Sequence, residues 1–141
     1  MHVAIGSDHG GYALKTQVAE WLTAMGHTVE DLGCFAEHSV DYPEFAAAVC
    51  DAVVDGRCHR GILICGTGIG MSMAANRRAG IRAALCHEAC TSRLSREHND
   101  ANVLCLGARV LGPEVARDIV TTWMQSAFAG GRHVRRIQAF D

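Results

Sequence analysis

Residues 61–70 read GILICGTGIG: an apolar run closes on Cys65 and opens at once into Gly66, Gly68 and Gly70. Glycines let a backbone curl tightly enough for successive N–H groups to face one concavity, and such a nest at the start of a helix suits an anion. The helix dipole there favours thiolate at an adjoining cysteine, and a thiolate is both base and nucleophile. The plainer alternative is a buried strand cysteine followed by a tight turn, since free cysteine is among the most buried residue types. Three phosphate-binding motifs fail at one position. A Walker loop needs Gly-Lys-Ser/Thr, a dinucleotide fingerprint begun at Gly66 needs a glycine at 71, and a cysteine phosphatase needs an arginine there; the residue is Met71.

Other segments carry groups of the same kind. SDHGG offers Asp8 and His9 after the first apolar run, with helix capping as the alternative for Asp8. REHND gathers His98, Asn99 and Asp100 just before another run, with a solvated loop or a helix C-cap as the alternative. Arg109 and the tail GGRHVRR supply guanidinium groups suited to bidentate phosphate binding, unless the tail is merely solvated. Cys86, His87 and Cys90 hint at a metal, but no second ligand pair stands at finger-like spacing. The remaining cysteines, Met71, Met73 and both tryptophans read as packing.

Elements must position these groups. HVAIG (2–6), GILIC (61–65), IRAALC (81–86) and NVLCLG (102–107) are apolar on consecutive residues and suit parallel strands covered on both faces, with the more polar HTVEDLG at 27–33 as a fifth. Leu14, Val18, Trp21, Leu22 and Met25 share one helical face that Gly26 would end. Phe45, Val49, Ala52 and Val53 repeat the spacing behind Pro43, and Val115, Ile119 and Trp123 behind Pro113. Strand and helix therefore alternate. The pattern predicts one α/β domain over 1–141, a doubly wound, three-layer Rossmann-like sandwich with five parallel strands and residues 130–141 as a tail too basic and glycine-rich to prolong the last helix. Ligands bind such sheets at the carboxyl ends of the strands, which directs attention to GSDHGG, CGTGIG, EHND and GARVLG.

Bulk properties exclude several classes. Thirteen basic residues against fifteen acidic give a net charge of −2, so no basic field recommends nucleic acid or an anionic membrane. No run approaches the length of a membrane span, no signal-like segment opens the chain, and the seven cysteines are an odd number that reads as reduced thiols. A cytoplasmic protein acting on a small molecule is the expectation.

At CGTGIGMSMAAN, GIRAA, REHNDANVL and GARVLG, with GSDHGG, VDYPEFA and GGRH in matching order, the chain resembles the type B ribose-5-phosphate isomerases and the related galactose-6-phosphate isomerase subunits. The resemblance implies a Rossmann-like homodimer or homotetramer in carbohydrate metabolism, the pentose phosphate pathway included. It would interconvert ribose 5-phosphate and ribulose 5-phosphate through an enediolate, without metal or cofactor. Cys65 would be the base, the amides of Gly66, Thr67, Gly68, Ile69 and Gly70 would receive the enediolate oxygen, and Thr67 would pass the hydroxyl proton. By the same similarity His98 opens the furanose ring with Asp8 on the ring-oxygen side, and Tyr42 and Asn99 hold hydroxyls. His9, Arg109, Arg132 and Arg136 bind the phosphate. His98, Asn99 and the arginines would come from a neighbouring subunit. One branch of the family replaces the cysteine and places a carboxylate at the position of Met71, which cannot ionise, so the duty falls here on Cys65. Allose 6-phosphate, galactose 6-phosphate or a rare sugar stays open as substrate, as do a cysteine phosphatase and a non-catalytic sugar-phosphate binding module.

Overall fold

The computed structural model describes residues 1–141. Its elements in chain order are β1 (His2–Ser7), α1 (Tyr12–Ala24), β2 (Thr28–Asp31), α2 (Tyr42–Val54), β3 (Arg60–Cys65), α3 (Ile69–Ala75), β4 (Ala83–Leu85), α4 (Ala89–Asn99), β5 (Val103–Gly107), α5 (Pro113–Gln125) and α6 (Arg132–Gln138). All five strands are parallel, in the order β2-β1-β3-β5-β4.

The period of two along each inner strand divides the core. Val3 and Ile5 of β1, Ile62 and Ile64 of β3, and Leu104 and Leu106 of β5 pack against Leu14, Val18 and Leu22 of α1 and Ala116, Ile119, Val120 and Trp123 of α5. Their alternates Ala4, Leu63, Cys65, Val103 and Cys105 turn to Ala46, Val49 and Cys50 of α2 and Met71 and Ala75 of α3. Apolar residues on both phases therefore produce the three layers. Four details differ from the sequence reading. β4 is only three residues long and half-buried throughout, because it is an edge strand; the Asn76 side chain satisfies both the N–H and the C=O of Ala83 there, at 2.8 and 2.9 Å. Val115 is exposed, because the buried stripe of α5 runs through Ala116, Ile119, Val120 and Trp123. Met73 and Cys90 are exposed rather than packed, on the outer faces of α3 and α4. Residues 132–138 form a helix of their own, set off from α5 by Gly130 and Gly131 at φ +65 and +57.

Cys86 sits in the core while His87 and Cys90 face solvent, so those three side chains do not converge. No helix is long and apolar enough to cross a membrane.

Burial pushes the thiols of Cys50, Cys58 and Cys86 up to about 11 and raises that of Cys105 well above the ordinary range. These groups are neutral in the folded chain over a pH interval in which an unfolded thiol, at about 8.5, has already ionised. The folded state then binds more protons than the unfolded one, so stability is complete below about pH 8.5 and is lost as pH rises towards 11. Urea unfolding in reductant from about pH 8 to about pH 11 should show a falling midpoint. Replacing Cys50 and Cys86 by alanine should flatten that fall.

Candidate active site

β1, β3 and β5 end side by side, with Ser7 opposite Ile64 and Gly107 opposite Cys65. Cys65 is the last residue of β3 and is 5% exposed. Gly68 adopts φ +78, which turns the chain back so that its N–H donates to Cys65 Sγ at 3.1 Å. A Cβ at residue 68 would lie 2.5 Å from Leu85 Cδ1 and 2.9 Å from the carbonyl carbon of Leu106, so both conformation and space demand glycine. Gly107 is needed for a similar reason, because a Cβ there would lie 2.6 Å from the carbonyl oxygen of Thr67.

The amides expected to act as one cradle are divided between two duties. Gly68 N–H is committed to Cys65 Sγ and Ile69 N–H to Thr67 Oγ1, at 3.1 and 3.3 Å. The N–H groups of Gly66, Thr67 and Gly70 form no hydrogen bond within the chain. This corrects the expectation that all five amides face one oxygen: the local turn consumes two of them. The Ile69 side chain is exposed.

Other expected residues gather at the same edge. Asp8 caps the short turn His9–Gly11, its Oδ1 accepting from Gly11 N–H at 3.0 Å, so the capping alternative is realised. The cap also sets the carboxylate beside Gly10, where a Cβ would meet Asp8 Oδ1 at 3.3 Å and Arg109 Nη2 at 3.4 Å. Arg109 donates its backbone N–H to Gly66 O at 2.9 Å and lays its guanidinium over Gly66, which corrects the expectation that this arginine comes from a neighbouring subunit: it stands at its own chain's loop. Tyr42, the first residue of α2, rests its ring against Gly70, where a Cβ would lie 2.6 Å away. His9 Nδ1 accepts from Val40 N–H at 3.3 Å, which assigns its ring hydrogen to Nε2.

The loop that carries Val40 is held by a residue the sequence reading passed over. Lys15 is 1% exposed and pairs with Asp31, whose Oδ1 accepts from Gly33 N–H at 2.9 Å. Its ammonium lies 5.5 Å from the centre of the Tyr12 ring and 5.3 Å from that of Phe35. The signal was present: Lys15 stands three residues before Val18 and seven before Leu22, on the buried face of α1.

His98, Asn99, Arg132 and Arg136 lie elsewhere. α4 runs antiparallel to the strands, so its last residues reach the amino edge of the sheet just before β5 begins. Five residue steps of β3, from Arg60 to Cys65, separate that edge from the thiol, roughly 16 Å at about 3.3 Å per residue. The expectation that REHND joins the carboxyl-edge cluster is therefore corrected for a single chain. Asp100 takes a left-handed conformation at φ 45 as the C-cap of α4 and accepts from Arg96 at 2.8 Å and Arg82 at 3.3 Å. A cavity of about 690 Å³ lies at this amino edge, with Arg82, Ser95, Asn99 and Phe140 among its lining. Volume and chemistry thus point to different places. The hollow holds no thiol, its Ser95 hydroxyl donates to Ser92 O at 2.8 Å and its Asp141 carboxylate is paired with Arg82, so the candidate site is the carboxyl edge.

The parallel sheet between two helical layers defines a Rossmann-like α/β protein, with a thiol, free amides, a hydroxyl and a guanidinium at its carboxyl edge. The sequence model of the Ribose/Galactose Isomerase family matches residues 3–140, so the chain belongs to that family, and it is an aldose–ketose isomerase. It is 49% identical to the putative sugar phosphate isomerase YwlF of Bacillus subtilis, over 97% of this chain and 93% of the relative. It is 47% identical to the ribose-5-phosphate isomerase B of Escherichia coli, over 97% and 92%. The solved ribose-5-phosphate isomerase B of Clostridium thermocellum superposes with a TM-score of 0.98 at 53% identity, covering 99% of this chain and 94% of the other.

The turn at Gly68 can be tested against a neutral reference. Gly26 has φ +84 with nothing within 4 Å of a built Cβ, so Gly26→Ala should cost only the conformational penalty of about 1–2 kcal/mol. Gly68→Ala adds overlap with backbone and should destabilise by at least about 1 kcal/mol more in urea unfolding. Equal losses in the two variants would show that the space around residue 68 is not constrained.

Proposed function

We propose that the protein interconverts ribose 5-phosphate and ribulose 5-phosphate, with Cys65 as the base. The supporting observation is the Cys65 sulfur at a strand end with the Gly68 amide on it and the free amides of Gly66, Thr67 and Gly70 beside it. In the open-chain aldose, Cys65 as thiolate takes the hydrogen from C2, and the electron pair moves onto O1 to give an enediolate. The unpartnered amides stabilise that oxygen, a type of contact whose loss costs about 10²–10³ in rate. Thr67 Oγ1, already held by the Ile69 amide, carries the hydroxyl proton between O2 and O1, and the thiol returns its proton to C1. His9, through Nε2–H, and Arg109 receive the phosphate, Tyr42 holds a hydroxyl, and Asp8 stands on the ring-oxygen side.

His98 as ring opener, Asn99 on a hydroxyl, and Arg132 and Arg136 on the phosphate then come from a second copy, in a homodimer or a dimer of dimers. What supports this is their place at the opposite edge of the sheet from Cys65 in their own chain. Ribose is preferred to other aldoses on the names of the relatives; other sugar phosphates remain substrates to be assayed alongside it.

Two measurements test the reading. With ribose 5-phosphate in the presence of chelator, Cys65→Ala should lose about 10²–10⁴ in kcat/KM while keeping its fold. An alanine variant as fast as the parent removes Cys65 from the mechanism, and a parent inactive on ribose, allose and galactose phosphates favours a binding module. Mixing Cys65→Ala with His98→Asn, each inactive alone, should restore about a quarter of parental activity after subunit exchange, since half the dimers then carry one intact site of two. No recovery after verified exchange would place both residues in one chain's site.

A further inference from the structure

At the amino edge, α6 returns along the last turn of α4. Ala129 N–H donates to Glu97 O at 2.9 Å, and the left-handed pair Gly130 and Gly131 then starts α6, with His133 N–H donating to Gly130 O at 3.1 Å. This delivers the His133 ring flat against His98, with centroids 4.4 Å apart and planes within 12° of parallel. His133 is 9% exposed, whereas His98 is half-buried, so one ring is fixed in the protein and the other lies on it facing outward.

We infer that His133 is a positioning residue for His98, holding the imidazole in the plane from which it serves the cyclic sugar. The inference rests on the isomerase reading above and concerns only one step of it. Opening the furanose breaks the C1–O4 bond, removes the hydrogen from O1 and delivers a proton to O4, with no net change in protons. One imidazole can serve both oxygens only if its plane is set between them, and a side chain on the last turn of a helix has free rotation about χ2 unless something stops it. The stack supplies that stop. Burial, followed by the positive charge of His98, Arg132 and Arg136, holds His133 below the ordinary histidine value. At neutral pH it is thus an uncharged plate, and a proton passing through His98 meets no like charge beneath it.

Ring opening and proton abstraction can be separated with one substrate pair. Ribulose 5-phosphate has its C5 oxygen blocked by phosphate and cannot close a five-membered ring, so exchange of its C1 hydrogen with D2O needs Cys65 but no ring opening. His133→Ala should lower net conversion of ribose 5-phosphate by about tenfold or more and leave C1 exchange, followed by NMR, within about threefold of the parent. His133→Phe, which keeps a flat ring on His98, should bring net conversion back to within about threefold of the parent. Equal loss of conversion and exchange in His133→Ala would assign His133 a merely structural role, and unchanged conversion would give it none; either overturns the inference. No exchange of the C1 hydrogen by the parent protein overturns the ribose 5-phosphate reading itself and the inference with it, by a result independent of His133.

Discussion

One contact organises the carboxyl edge of the sheet: the Gly68 N–H donating to Cys65 Sγ at 3.1 Å. It requires β3 to end on the cysteine, a left-handed residue three positions later, and a neighbouring strand that gives the turn room. β5 gives that room by ending on Gly107, directly opposite Cys65, so that the backbone of Thr67 can settle against it. With that turn closed, α3 begins at Ile69, Thr67 Oγ1 finds the Ile69 amide, and three further N–H groups are left open beside the sulfur. A side chain at either glycine would push the loop outward and separate the thiol from its donor.

The opposite edge is organised by charge. Asp100 receives Arg96 and Arg82, and Arg82 also reaches Asp141 at 2.7 Å. Arg60 donates to the carbonyls of Trp123, Met124 and Ser126 at the end of α5, which satisfies acceptors that a helix C-terminus otherwise leaves open. Its guanidinium and that of Arg96 lie 5.1 and 5.8 Å from the Trp123 ring. Burial, followed by the charge of Arg96, lowers Arg60 to about 10, a value at which it still carries its charge at neutral pH. Buried cations are tolerated here because carboxylate, carbonyls and indole faces replace water around them. This framework ends α4 sharply at Asn99, which leaves His98 and Asn99 at a rim and not inside the core.

Much of the fold could be read from residue order. The apolar phase of β1, β3 and β5, the helical stripe of α1, Pro43 and Pro113 at helix starts and glycine after the strands all specify local structure by short-range sterics and burial. Cys65 with its glycines and Asp8 with His9 were legible for the same reason: each belongs to a strand end followed by a turn. Lys15 was missed because a lysine in an apolar stripe is ordinarily solvated, and although Tyr12 stands one turn before it, nothing local announces Asp31 and Phe35. The cradle was overcounted because a row of glycines shows that amides can converge, but not which of them neighbouring side chains have already taken.

What the sequence by itself determined is the order of elements, the three layers and the glycine turn that follows Cys65, because periodicity, propensity and backbone sterics act over a few residues. Only the tertiary structure decided that His98 and Asn99 stand at the far edge from Cys65, that His133 lies flat on His98, and that Arg109 crosses the loops after β1 and β3. Those relations follow from the direction in which each helix crosses the sheet and from strand order, and both are set by packing between residues distant along the chain.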